Sequence, residues 1–199
     1  MALNESCLVL GAGPETAQIS ELAHDTLGIN ICMDELRAIK DSGVDAHLIR
    51  ADAQKLPLKS SYFGFVLCRA TLHHLGNLNG ALTELNRVLK RGSHVYLHEP
   101  GILNFAAFLG RRFFPTDIHD PTEKPFNPIV LRKTLLKNFK IVKEEDLFIY
   151  AHVFPVLGKR LPLLNNRHLL KAMFGLDNAL SKTFLGNLCW IFIFVLRKN

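Results

Sequence analysis

The adjacent histidines His73 and His74 are the side chains of this sequence best suited to proton transfer. Imidazole titrates near neutral pH without a perturbing environment, so a histidine beside a bound substrate can act as a general base. The alternative is that one of the two packs against a neighbouring loop and orients it. The pair therefore predicts a catalytic role, with the structural role kept open.

Charged residues later in the chain are candidates for substrate contacts. Glu99 could bind a substrate or shape the following Pro100-Gly101 turn. Arg111 and Arg112 could contact a phosphate or carboxylate of the substrate, or form a basic helix end that faces water. A nearby loop has side chains that could hold a divalent ion: Asp117, His119, Asp120 and Glu123. Nothing in that loop fixes a coordination geometry, so no metal is predicted.

A glycine-containing turn is the feature most typical of a ligand site. Gly11 and Gly13 directly follow the apolar segment Cys7–Leu10, and a helix-like segment follows them in turn. A strand, a glycine turn and a helix in this order present backbone N–H groups to a nucleotide-like ligand. The dinucleotide fingerprint is incomplete, because the third glycine or alanine of that motif is absent.

Alternating apolar and amphipathic segments predict an α/β protein. The predicted strands are Cys7–Leu10, Leu27–Ile31, Ala46–Ile49, Phe63–Cys68, His94–Leu97, Phe139–Tyr150 and Leu188–Leu196. The predicted helices are Thr16–Ala23, Asp34–Asp41, Leu78–Lys90, Pro128 to about Asn138, and Leu169–Leu180. We expect Asn77 to cap the third helix and Gly92 to end it. Strands that alternate with helices imply a parallel sheet covered on both faces.

The composition is that of one globular domain. The 199 residues are 48% hydrophobic and 21% charged, which excludes a disordered chain. The four cysteines form no C-x-x-C pair, so we expect buried thiols in a reducing cytoplasm rather than zinc or disulfides. We also expect no signal peptide, and the apolar segment Leu188–Leu196 is too short to cross a membrane.

The net charge of +6 is unevenly distributed along the chain. Residues 1–100 carry 9 basic and 11 acidic side chains, whereas residues 101–199 carry 15 and 7. A basic second half favours an anionic substrate, peripheral contact with an acidic membrane surface, or a solvated face without a partner. No basic stretch is interleaved with aromatic side chains, so nucleic-acid binding is not predicted.

Three short motifs follow the glycine turn along the chain. They are Asp52-Ala53 with Leu56-Pro57, then Leu72-His73-His74-Leu75, then Arg87-Val88-Leu89-Lys90 with Gly92. In this order and spacing, the chain resembles the class I S-adenosylmethionine-dependent methyltransferases of the small-molecule, single-domain type. The resemblance implies a Rossmann-like, mostly parallel sheet of seven strands in the order 3-2-1-4-5-7-6, with the last strand antiparallel. It also implies lid insertions after strands 5 and 6.

The resemblance covers nearly the whole chain and implies a single domain over residues 1–199. Residues 1–101 would bind the cofactor, and residues 102–199 would supply a lid over the acceptor and the last two strands. The insertions at 102–128 and 155–180 are apolar and basic, which favours a small or lipid-like acceptor, with core packing as the alternative. Because the chain starts almost at its first strand, we expect an acceptor site that is open or completed by a partner chain or a second copy.

The resemblance also implies roles for individual residues. Those placed at S-adenosylmethionine are Gly11, Ala12, Gly13, Asn30, Ile31, Asp52, Ala53, Leu56, Cys68 and Arg69. The glycines would lie beside the methionine part, and Asp52 would accept a hydrogen bond from the adenine amino group, with Leu56 lining the adenine pocket. The backbone carbonyls of Cys68 and Arg69 would face the ammonium group of the cofactor.

Four positions depart from the family pattern. Val9 and Asn30 stand where the family has acids, Glu15 where it has a third loop glycine, and Gly64 where it has an aspartate. An amide in place of the ribose-binding acid lacks charge-assisted hydrogen bonds, a loss of roughly 1.5–3 kcal/mol. We therefore predict a methyltransferase for a small or lipid-like acceptor. The alternative is a non-catalytic member of the fold that serves as a binding or regulatory subunit, and an oxidoreductase is disfavoured by the incomplete glycine motif.

Overall fold

A computed structural model of the chain describes residues 3–105, 124–150 and 166–199. The strands are β1 Leu3–Leu10, β2 Ala23–Asn30, β3 His47–Arg50, β4 Phe63–Arg69, β5 Leu89–Pro100, β6 Lys140–Leu147 and β7 Ile191–Arg197. The α-helices are α1 Thr16–Ser20, α2 Met33–Asp41, α3 Leu78–Val88, α4 Pro128–Leu135 and α5 Arg167–Ser181. Leu72–His74 and Phe184–Leu188 form 3-10 helices. None of the helices in these ranges is long and apolar enough to cross a membrane.

The seven strands form one sheet in the order β3-β2-β1-β4-β5-β7-β6. Strand β1 pairs in parallel with β2 and β4, β2 with β3, and β4 with β5. Strand β7 runs the other way: Gly92 donates its N–H to the Lys198 carbonyl, and Lys198 donates to Ser93. The predicted sheet order, with its antiparallel last strand, is confirmed.

The centre of the sheet is its most apolar part. The β1 residues Cys7–Leu10 are all completely buried, as expected for a central parallel strand with both faces covered. Val9 joins Ala12, Leu36 and Leu67 in a buried cluster. The same burial raises the pKa of the Cys7 thiol to about 11, because a charged thiolate is poorly solvated there.

Several helix ends differ from those predicted, and α1 and α3 show the physical reason. Helix α1 ends at Ser20, and Ala23 already pairs with Leu3 of β1, so backbone pairing extends β2 through its polar first residues. Helix α3 ends at Val88, two residues before the predicted end at Lys90. Gly92 instead lies within β5 with a φ of +79°, a conformation that glycine adopts without steric cost.

Helix starts follow the capping predictions. The Asn77 side chain accepts a hydrogen bond from the Gly80 N–H at 3.0 Å, which confirms it as the cap of α3. Pro128 is the first residue of α4, where its missing N–H has no helical partner to lose. One apolar face of α3 is buried through Ala81, Leu82 and Leu85.

The Arg87 side chain of α3 holds the loop that follows β3. Its guanidinium donates to the carbonyls of Leu56 at 3.0 Å and Leu58 at 2.7 Å. Glu84 accepts from the same guanidinium and from the Leu56 N–H at 2.7 Å. The hydrogen bond with Arg87 holds the pKa of Glu84 below its usual value. The arginine of the third sequence motif therefore has a structural role.

The chain divides into two compact units. The first comprises residues 1–98, 132–143 and 194–199, and the second residues 99–131 and 144–193. Within the second unit, the buried Asn104 amide donates to the Ile149 carbonyl at 2.7 Å, and the buried Asp177 accepts from the Tyr150 N–H at 2.8 Å. Most of the predicted lid, with Arg111, Arg112 and the loop of possible metal ligands at 117–123, lies outside the described residues.

Candidate functional site

A cavity of about 630 Å³ opens in the first unit at the carboxyl ends of β1, β2, β3 and β4. Its volume lies within the range of small-molecule sites, and parallel α/β sheets bind ligands at this edge. Of the sequence-predicted residues, those that line it are Gly11, Ala12, Gly13, Asn30, Ile31, Asp52, Ala53, Arg69 and His74. The topology therefore brings together residues from four separate parts of the sequence.

Other predicted residues lie elsewhere. Leu56, Cys68 and His73 are buried and do not line the cavity. Leu56 packs where Glu84 and Arg87 bind its backbone. Glu99 is completely buried and belongs to the second unit.

The two histidines have different surroundings although they are adjacent. Their ring centroids are 4.0 Å apart with a 38° tilt. His73 is 4% exposed, whereas His74 is exposed and lines the cavity. The 3-10 turn Leu72–His74 produces this difference, because successive side chains of a tight helical turn point in different directions. His74 is thus the histidine within reach of a ligand.

The glycine turn is packed against a residue that sequence reasoning missed. Gly11 has a φ of +71°, and a Cβ there would overlap the Thr71 side chain. The Thr71 hydroxyl shares its one hydrogen between the carbonyls of Leu10 at 3.1 Å and Arg69 at 2.9 Å. Between them, Ala70 adopts a φ of +49°, which costs an L-residue about 1 kcal/mol. The loop after β4 is therefore folded tightly over the first glycine.

Asn30 connects the glycine turn to the end of β2. Its Nδ2 donates to the Ala12 carbonyl and its Oδ1 accepts from the Cys32 N–H, both at 2.9 Å. A carboxylate could make the second bond but not the first, because it has no hydrogen to donate. The departure from the family acid at this position therefore has a structural consequence within this chain.

Asp52 is held in place by a second residue that sequence reasoning missed. Its Oδ1 accepts from the Gln54 N–H at 2.8 Å and from Gln54 Nε2 at 3.1 Å. Gln54 Oε1 in turn accepts from the Asn77 N–H at 2.8 Å. This network fixes the carboxylate at the cavity wall, and no sequence pattern singles out Gln54.

The Glu15 side chain turns toward the cavity and forms an ion pair with Arg69. Its Oε2 lies 3.4 Å from Arg69 Nη1, with side-chain exposures of 13% and 54%. Its carboxylate oxygens lie 3.1 and 3.3 Å from the position of a Cβ on Gly13. The carboxylate therefore covers the second glycine of the turn.

The other two departures from the family pattern lie away from the cavity. Val9 is completely buried in the core. Gly64 leaves room for Glu5, since a Cβ at this glycine would come 2.5 Å from Glu5 Oε2. Neither residue lines the cavity.

The cavity fits a nucleoside in several respects. Ile31 lines it while 63% exposed, which leaves an apolar face for a planar base. Asp52 supplies a carboxylate acceptor for an exocyclic amino group, and the glycine turn leaves space for close approach of a ligand. The residues present fit the cofactor implied by the resemblance, although Asn30 is an amide in place of the ribose-binding acid.

Comparison with known proteins gives one family and a large set of structures. Residues 8–97 match the methyltransferase domain family. The arginine-hydroxylase NDUFAF5 of Danio rerio mitochondria is 36% identical over 61 residues, which span 31% of this chain but only 19% of that protein.

Solved structures extend the likeness over the full chain. A SAM-dependent methyltransferase from Methanosarcina mazei has a TM-score of 0.65 and 19% identity, covering 100% of this chain and 94% of its own. The [4+2]-cyclase SpnF has a TM-score of 0.66 and 16% identity, covering 100% and 76%. These identities establish the shared fold. The family match over residues 8–97 and the sheet order described above give this chain the fold of the class I S-adenosylmethionine-dependent methyltransferases.

Proposed function

We propose that this chain transfers a methyl group from S-adenosylmethionine to a small or lipid-like acceptor. The observation that carries the proposal is the single cavity wall on which the glycine turn, Asp52 and His74 meet. When bound, the cofactor supplies a methyl group on a sulfonium, which a nucleophile can attack without covalent help from the protein. The task of this chain is then to bind, orient and deprotonate.

Asp52 and Ile31 would bind the adenosine part. Gln54 holds the Asp52 carboxylate by two hydrogen bonds, so the carboxylate needs little further ordering when a ligand binds. Ile31 would cover one face of the base. Asn30 Oδ1 retains acceptor capacity for one ribose hydroxyl, while its Nδ2 stays on Ala12.

His74 would act as the general base. It is exposed at the cavity, and contact with the tilted ring of the buried His73 restricts its orientation. An imidazole nitrogen of His74 would take the proton that the acceptor nucleophile loses. The buried His73 would be the positioning partner of the pair.

The acceptor class is inferred from the second unit. Its described part exposes several large apolar side chains, with Phe184 at 82%, Phe105 at 71% and Ile102 at 49%. Such side chains suit an acceptor with an apolar portion, a peripheral membrane surface, or a partner chain or second copy that completes the acceptor site. Light scattering with and without anionic lipid vesicles separates these three.

The second candidate function is cofactor or nucleoside binding without transfer. It is favoured by Asn30, whose amide is committed to the Ala12 and Cys32 backbone where the family has an acid. Similar proteins named as an arginine hydroxylase and a [4+2]-cyclase also illustrate that this fold hosts other reactions. The fold by itself therefore does not decide between the two candidates.

Calorimetry with S-adenosylhomocysteine and transfer of a radiolabelled methyl group to lipid and metabolite fractions test the proposal. We expect Asp52→Ala to weaken binding about tenfold, and His74→Asn to keep binding while abolishing transfer. Asp34→Asn, an exposed acid outside the cavity, is the matched control. No heat at millimolar ligand would refute cofactor binding. Binding without transfer to any fraction would favour the second candidate.

A further inference from the structure

The charges of the cavity are strongly unequal. Its lining carries three carboxylates, Glu15, Glu35 and Asp52, and Arg69 is the one lysine or arginine among the described residues that line it. A ligand with an anionic group therefore has one permanently positive partner among these residues, the Arg69 guanidinium. Arg69 is itself paired with the Glu15 carboxylate.

The Glu15–Arg69 pair is weakly held. Its 3.4 Å separation is longer than the 2.7–2.9 Å typical of charge-assisted hydrogen bonds, and more than half of the Arg69 side chain is exposed. Ion pairs of this kind contribute little to stability. Only Nη1 of the guanidinium contacts Glu15, so the planar fork can still take a carboxylate through two parallel bonds. The ion pair can therefore open at a low cost in free energy when Arg69 binds a ligand carboxylate.

Two backbone carbonyls at this end of the cavity already accept a hydrogen bond within the protein. The Thr71 hydroxyl shares its one hydrogen between the carbonyls of Leu10 and Arg69. The Arg69 carbonyl is one of the two that the resemblance assigns to the ammonium group of the cofactor. An ammonium with three donors needs a further acceptor, and the Glu15 carboxylate lies above Gly13 on the same wall.

These observations assign a role that depends on the proposed function. We propose that Glu15 and Arg69 together form the receptor for the α-amino-acid end of the cofactor. Arg69 takes the carboxylate and Glu15 takes the ammonium, after their own ion pair opens. The two opposite charges of an α-amino acid sit on one carbon, which matches two opposite charges held side by side at the cavity wall. Glu15 thereby supplies an acid to a site whose family acid positions hold Val9 and Asn30.

Calorimetry with two probes isolates this receptor. S-adenosylhomocysteine carries the amino-acid end, whereas 5′-methylthioadenosine has the same nucleoside without it. We expect Arg69→Gln and Glu15→Gln each to weaken S-adenosylhomocysteine binding about tenfold, the effect of one charge-assisted hydrogen bond. Binding of 5′-methylthioadenosine should change less than about twofold.

Three further variants separate a receptor from a structural pair. Asp34→Asn and Arg37→Gln remove the charges of an exposed ion pair outside the cavity and should leave both affinities unchanged. The exchange Glu15→Arg with Arg69→Glu keeps an ion pair but reverses its direction. We expect it to keep the melting temperature of the wild type but not its affinity for S-adenosylhomocysteine.

Each remaining outcome overturns the proposal. Equal losses for both probes would make the pair a structural element of the loop, and tighter binding by Glu15→Gln would make the carboxylate an obstruction. Equal wild-type affinity for the two probes would show that the amino-acid end is not bound. In all three cases the proposed function survives. Failure of the wild type to bind either probe at millimolar concentration would refute the proposed function as well.

Discussion

Replacing Asn30 with aspartate should lower stability and raise cofactor affinity at the same time. The substitution keeps the bond from the Cys32 N–H but removes the donor to the Ala12 carbonyl at 2.9 Å. One lost hydrogen bond costs about 0.5–1.5 kcal/mol, and a carboxylate oxygen facing a carbonyl oxygen adds repulsion. For a half-exposed site the total is about 1–2 kcal/mol.

The expected melting temperature of the free protein therefore falls by about 2–8 °C, since 1 kcal/mol corresponds to roughly 2–4 °C in a chain of this size. The restored carboxylate should bind the ribose hydroxyls and tighten S-adenosylhomocysteine binding by about tenfold or more.

Thermal unfolding without ligand and calorimetry with ligand measure the two effects of the Asn30→Asp change separately. Asn199→Asp, the same change at the exposed chain end, is the control for charge alone. Asn30→Ala should lose stability without gaining affinity. An unchanged or higher melting temperature for Asn30→Asp would refute the structural role of the Ala12 bond. A stability loss with no gain in affinity would show that position 30 does not face the ribose.

Three further predictions test other parts of the structure. Arg87→Leu should lower the free energy of unfolding by about 1–3 kcal/mol in urea titrations, because the Leu56 and Leu58 carbonyls lose their donor, and Arg87→Lys should recover only part of it. The lowered pKa of Glu84 stabilises the fold above the usual glutamate pKa, and this contribution is lost as pH falls through the lower folded value. The melting-temperature difference between wild type and Glu84→Gln should shrink on acidification below about pH 4, and a constant difference would contradict the assignment. In mass-spectrometric alkylation at pH 8, the exposed Cys32 should react first, and Cys7, with a pKa of about 11, should stay unmodified. Early labelling of Cys7 would contradict its burial.

Local pattern was sufficient for most of the elements. The apolar run Cys7–Leu10 predicts a central strand because only a strand covered on both faces buries every residue, and all four are buried. Asn77 and Pro128 mark helix starts through backbone chemistry that acts within three residues. Strand ends were less predictable. Ala23 joins β2 because of its partner Leu3, and that pairing is not encoded in the polarity of either segment.

In the candidate site, too, some residues could be identified from the sequence and others only from their contacts in the structure. The glycine turn is identifiable by its residue types and Asp52 through the family resemblance, and both line the cavity. Thr71 and Gln54 were missed because a threonine or glutamine has no pattern of its own. Their importance comes from touching the Leu10 carbonyl and the Asp52 carboxylate.

The sheet order was expected from the family resemblance that the motifs carry. The amino-acid sequence by itself determined the alternation of strands and helices and the residue types available for binding. These depend on periodicity and short-range capping, which are local along the chain. Only the tertiary structure decided that His74 rather than His73 faces the cavity, that the Asn30 amide is committed to the backbone, and that Glu15 pairs with Arg69 across 54 positions of sequence. Side-chain direction and pairing between distant residues follow from how the strands pack, which no local pattern contains.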